Sequence, residues 1–139
     1  PIDLNIYGAM NCVYAVVFGM RDRGWGRIVQ ISWGSARTGQ NIGVSMYATG
    51  KSGIEGFIRH LAAETGQFGI TANVVALGHQ QNLADIFPPD LLEKTLSTIP
   101  IGRLGDPAEV GAFCAYLSSD EAGGITGQTL DFNGGSQTR

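Results

Sequence analysis

The sequence predicts an α/β fold, a doubly wound parallel sheet with helices on both faces. Three observations carry this. Stretches of helical period alternate with short apolar runs in the order helix, strand, helix, strand, helix, strand. The strand runs are apolar at successive positions, as strands buried on both faces are. Most of the 21 glycines fall between these segments, where loops need them.

Residues 4–20 set Ile6, Ala9, Met10, Val13, Val17 and Met20 along one helical face, and Arg21, Asp22, Arg23 and Gly24 end it. Residues 27–32, Arg-Ile-Val-Gln-Ile-Ser, read as a buried strand. A small, polar loop follows. A second helix is expected over residues 44–65, with Ile54, Phe57, Ile58, Leu61 and Ala62 as its apolar stripe and Gly66 and Gly69 beyond its end. Ile70–Leu77 is the second strand. Residues 78–105 are irregular, with Pro88, Pro89 and Pro100 and a short helix near residues 90–97. Asp106 can cap a third main helix, with Pro107 in its first turn, Glu109 completing a capping box, and Val110, Phe113 and Leu117 buried. Residues 128–132 form the last strand.

Composition narrows the function. The 139 residues are 43% hydrophobic, which suits one domain or part of one. The net charge is −3 and no basic run occurs, which argues against nucleic acid and anionic membrane as partners. The longest apolar run, from Val13 to Phe18, cannot span a bilayer. Nothing at the start reads as a secretory signal. Cys12 and Cys114 have no metal-ligand or Cys-x-x-Cys spacing, so a reduced, cytoplasmic protein without a metal is expected.

The chemistry centres on Tyr47-Ala-Thr-Gly-Lys51. Residues four apart share a helical face, so Lys51 should bring a positive charge near the Tyr47 hydroxyl. A free tyrosine has a pKa of about 10. A neighbouring cation should lower it and make Tyr47 an acid/base near neutral pH. Taken alone, such a pair is more often an ordinary tyrosine and a solvated lysine, because short motifs recur by accident. Context alters that balance.

The motif follows a strand and a Gly/Ser loop. Asn5-Ile-Tyr-Gly8 and Gly24-Trp-Gly-Arg-Ile-Val-Gln-Ile-Ser32 precede it. Gly69-Ile-Thr-Ala-Asn-Val-Val-Ala-Leu-Gly78, Ile101-Gly-Arg-Leu-Gly105, Ile125-Thr-Gly-Gln-Thr-Leu130 and Gly134-Gly135 follow it. In this order the whole chain resembles the C-terminal, catalytic half of a short-chain dehydrogenase/reductase of the 3-oxoacyl-ACP-reductase kind. The resemblance implies residues 1–139 as part of a Rossmann-type domain, the catalytic and substrate-binding half without the N-terminal dinucleotide-binding half. It implies NAD or NADP as cofactor, a small carbonyl or alcohol substrate, and a homodimer or homotetramer built on the first two helices.

The implied roles fall on named positions. Tyr47 would be the general acid/base. Lys51 would tune it and bond the nicotinamide ribose. Asn5 would hold a water in a proton relay, although alone it reads as a helix-bending polar residue bonded to the backbone. Leu77, Gly78, Gln80 and Asn82 would approach the nicotinamide carboxamide, and residues 81–98 would form a substrate lid.

Two departures stand out. Where the family has its catalytic serine, counting from the strand gives Trp33 and counting back from Tyr47 gives Gly34. Ser32 and Ser35 flank the gap, and Ser32 keeps the strand context. Either could contact substrate or merely satisfy loop backbone. The glycine-rich pyrophosphate turn is also absent from the sequence before Tyr47. The expected function is therefore NAD(P)(H)-dependent interconversion of a secondary alcohol and a ketone in the parent protein, with this stretch inactive alone. The alternative is an inactive piece or pseudoenzyme that keeps only an oligomerisation surface. Trp25, Trp33, His60 and His79 read as packing, surface or loop residues.

Overall fold

The computed structural model describes residues 1–137. The chain begins with a π-helical segment, Asp3–Gly8, which runs into helix α1 (Ala9–Asp22). Strand β1 (Gly26–Trp33), helix α2 (Ser45–Thr65), strand β2 (Ile70–Leu77), helices α3 (Pro89–Ser97) and α4 (Pro107–Leu117) and strand β3 (Thr129–Phe132) follow. The strands form one parallel sheet in the order β1-β2-β3. This is the α/β architecture expected. Observed boundaries differ from the sequence reading by one or two residues. The larger difference is the π-helical opening, which a 3.6-residue period does not anticipate.

The sheet separates two apolar layers by the alternation of side chains along each strand. Ala72 and Val74 of β2, with Ile28 of β1, pack under Val13 of α1 and Ile54, Ile58, Leu61 and Ala62 of α2. Val75 and Leu77, with Val29, Ile31, Leu130 and Phe132, pack against Phe113 and Leu117 of α4. The middle strand is buried from Ile70 to Ala76, whereas most of β1 is half-buried. Phe57 and Phe113 are partly rather than fully covered. No described helix is long and apolar enough to cross a membrane.

One polar side chain sits in the centre of this sheet. Asn73 is fully buried, donates to the Ile125 carbonyl at 2.7 Å and accepts from the Gln128 amide at 3.1 Å. The turn before β3 is thereby bound to the middle of β2, as buried polar groups require partners.

Helix α4 starts as expected. Asp106 accepts from the Ala108 amide at 2.8 Å, so it caps the helix. Glu109 completes the capping box, its carboxylate accepting from the Asp106 backbone amide. The same carboxylate takes both Arg103 guanidinium nitrogens, at 2.7 and 3.0 Å, in a charge-assisted bidentate pair.

Gly69 joins α2 to β2 with φ +72°, and a Cβ there would lie 2.2 Å from the Gly24 carbonyl oxygen. Gly102 has the same φ in open space. Gly69→Ala is expected to cost about 2–5 kcal/mol, adding backbone overlap to left-handed strain. Gly102→Ala should cost only the strain, about 1–2 kcal/mol. Urea midpoints of the two variants check this, and equal losses would refute the close approach.

Candidate active site

The C-terminal ends of β1 and β2 meet the first turns of α2 around a cavity of about 230 Å³. Ile31, Ser32, Trp33, Tyr47, Lys51, Leu77, Gly78, His79, Gln80, Asn82 and Leu83 line it. Open parallel sheets place ligands beyond these strand ends. Two larger clefts, of about 860 and 630 Å³, flank it beside the loop after β1 and beside α4.

Tyr47 and Lys51 stand one turn apart on α2. The Lys51 ammonium is 5.7 Å from the centre of the Tyr47 ring and donates to the Ile31 carbonyl at 3.2 Å. The tyrosine is 38% exposed, open enough to meet a ligand. The electrostatics correct the expectation of a lowered tyrosine pKa. Burial pushes the Tyr47 phenol up, and burial also pushes Lys51 down. Desolvation of the charged forms outweighs the attraction of an ammonium held toward a backbone carbonyl. Tyr47 therefore stays protonated through neutral pH.

The other expected residues divide. Leu77, Gly78, Gln80 and Asn82 lie on the same cavity as the pair. The backbone at Gly78 accepts no side chain, since a Cβ there would come 2.8 Å from Cα of Asn133. Gln80 donates to the Gly78 carbonyl at 3.2 Å, and its own carbonyl oxygen is buried without a partner. Asn5 is not bonded to Lys51. Its side chain donates to the Pro1 carbonyl at 2.9 Å, within the π-helical segment. A Cβ on Gly50 would lie 3.1 Å from that of Asn5, so the two helices touch one residue before Lys51.

The two candidate hydroxyls differ in what they are bonded to. Ser32 borders the cavity but is buried, and it donates to Glu55 at 2.7 Å. Ser35 accepts from the Gln137 side chain at 2.7 Å. The side chain in ring contact with Tyr47 is Trp33, at 5.5 Å between centroids and 55° of tilt.

A buried charged group went unread in the sequence. Glu55 is 3% exposed and continues the Tyr47–Lys51 stripe by another turn. Its second oxygen lies 3.4 Å from Nε of Arg37, in ion-pair range although without hydrogen-bond alignment. Arg37 also pairs with Asp131 of β3. The available signal was a carboxylate set between Ile54 and Ile58 of the apolar stripe, one turn after Lys51.

Residues 1–137 match the family described as enoyl-(acyl carrier protein) reductase. Acetoacetyl-CoA reductase of Cupriavidus necator is 42% identical over 135 residues, covering 96% of this chain and 54% of that protein. The crystal structure of a 3-oxoacyl-[acyl-carrier protein] reductase from Brucella melitensis superposes with a TM-score of 0.89 at 36% identity, covering 94% of this chain and 49% of that one. A second 3-oxoacyl-[acyl-carrier protein] reductase from Brucella melitensis, with bound NAD, gives 0.87 at 37% identity, with 96% and 49% covered. The chain belongs to the short-chain dehydrogenase/reductase family. It spans about half the length of the curated relatives it matches.

Proposed function

We propose that the protein carrying this chain is an NAD(P)(H)-dependent oxidoreductase that interconverts a secondary alcohol and a ketone. Residues 1–139 supply its catalytic and substrate-binding half. The observation that carries this reading is the Tyr47–Lys51 pair facing a cavity at the ends of two parallel strands.

The residues present suit the nicotinamide end of the cofactor. The unpaired Gln80 oxygen can accept from a carboxamide, and the Leu77–Gly78 backbone and Asn82 border the same space. Lys51 and Tyr47 would hold the ribose. When bound, the cofactor supplies or accepts the hydride. Tyr47, protonated at neutral pH, donates its proton to the developing alkoxide in reduction and takes it back in oxidation. Lys51, with ammonium hydrogens beyond its one backbone bond, steadies the phenolate so formed.

The protein also assembles, in this reading, as a homodimer or homotetramer through the first helical stretch and α2. Leu4, Tyr7, Tyr14 and Phe18 are exposed on the former, more apolar surface than a helix facing water needs.

The full-length protein, given NADH or NADPH, is expected to reduce ethyl acetoacetate or ethyl benzoylacetate with loss of nucleotide absorbance. Residues 1–139 alone should bind neither nucleotide with micromolar affinity, about −8 kcal/mol, because the pyrophosphate-binding helix terminus is not among them. A full-length protein that binds nucleotide but reduces no ketone would favour the inactive alternative, for which the Ser32 hydroxyl, committed to Glu55, speaks.

A further inference from the structure

The wall of the cavity beside Tyr47 is an indole. Trp33 ends β1, is half-buried, and meets the Tyr47 ring at 5.5 Å. The neighbouring Ser32 hydroxyl is held by Glu55. The Trp33 indole N–H has no hydrogen-bond partner among the described residues, whereas that of Trp25 is bonded to Asp120 at 2.8 Å. His79 lines the same cavity and meets Phe87 with ring centres 6.2 Å apart. Trp33, Tyr47 and His79 thus give this cavity three aromatic rings.

We propose that Trp33 is a specificity-determining residue, its indole forming the substrate-facing wall next to Tyr47. The site then favours ketones whose carbonyl bears a flat, π-bearing substituent over those bearing a small alkyl group. This rests on the oxidoreductase reading given above. The physical basis is that an aromatic ring gains from an offset or tilted ring partner beyond the area it buries. A methyl group in the same place leaves part of the wall uncovered.

The test uses full-length protein with ethyl benzoylacetate and ethyl acetoacetate, which differ only in phenyl against methyl at the reacting carbonyl. The wild type should favour the phenyl ester by about tenfold in kcat/KM, the scale on which apolar pockets discriminate. Trp33→Ala should erase that preference, mainly by raising KM for the phenyl ester, while the methyl ester changes by less than about threefold. Trp33→Phe should keep the preference and guards against a folding defect in the alanine variant. Equal loss on both esters, or an unchanged ratio, would overturn the proposal. So would a wild type that prefers the methyl ester. If neither ester is reduced, the oxidoreductase reading fails by itself. Calorimetric binding of the phenyl ester then judges the wall, which stands if Trp33→Ala weakens binding at least about fivefold and falls if binding is equal.

Discussion

Replacing Tyr47 with phenylalanine is expected to lower ketone reduction by about 10²–10⁴-fold, the range for loss of a positioned general acid. The ring that meets Trp33 remains, so the cavity keeps its shape. The hydroxyl is gone, and with it the transferable proton. Nucleotide affinity should fall far less, by no more than about tenfold, because in this reading the ribose loses one hydroxyl partner but keeps Lys51. Steady-state rates and an NADH titration on the same preparation separate the two quantities. Unchanged turnover would remove Tyr47 from the chemistry.

Glu55→Ala should destabilise the fold by about 3 kcal/mol, near the lower end for breaking a buried ion pair. Two groups lose their partner together. The Ser32 hydroxyl loses its 2.7 Å acceptor, and Arg37 loses one of its two carboxylates. Asp131 still holds Arg37, which keeps the loss from reaching the upper end. Urea unfolding of the variant beside the wild type measures this. A loss below about 1 kcal/mol for Glu55→Ala would mean that water reaches these charges and screens them.

The alternation of helical and strand periods was enough to identify the sheet, because β2 is buried on both sides and reads apolar throughout. It was enough for the α2 stripe too, where Ile54, Ile58, Leu61 and Ala62 are buried and Phe57 is partly so. Tyr47 and Lys51 were legible because one helix sets their spacing. What stayed hidden depends on contacts distant in sequence. Ser32 was read with its hydroxyl toward substrate, and only the packing of α2 on β1 shows Glu55 taking it. Trp33 was read as packing, and only the meeting of β1 with α2 sets it on Tyr47. The tyrosine pKa went the other way because the sequence gives the charge on Lys51 but not the desolvation around it.

Asn73 bears on how this sheet comes together. Parallel strands have no tight hairpin to align them, and β3 lies more than fifty positions further along the chain. Side chains alternate between two layers that are both apolar, so a slip by one residue would carry hydrophobic groups from one layer to the other with little penalty from pattern alone. Asn73 removes that ambiguity. Only the native alignment gives its carboxamide both the Ile125 carbonyl and the Gln128 amide, and any shifted pairing leaves a polar group unpaired in an apolar interior. A single amide thus acts as a proofreading device during assembly, rejecting misaligned β3 pairings that the apolar layers themselves would tolerate.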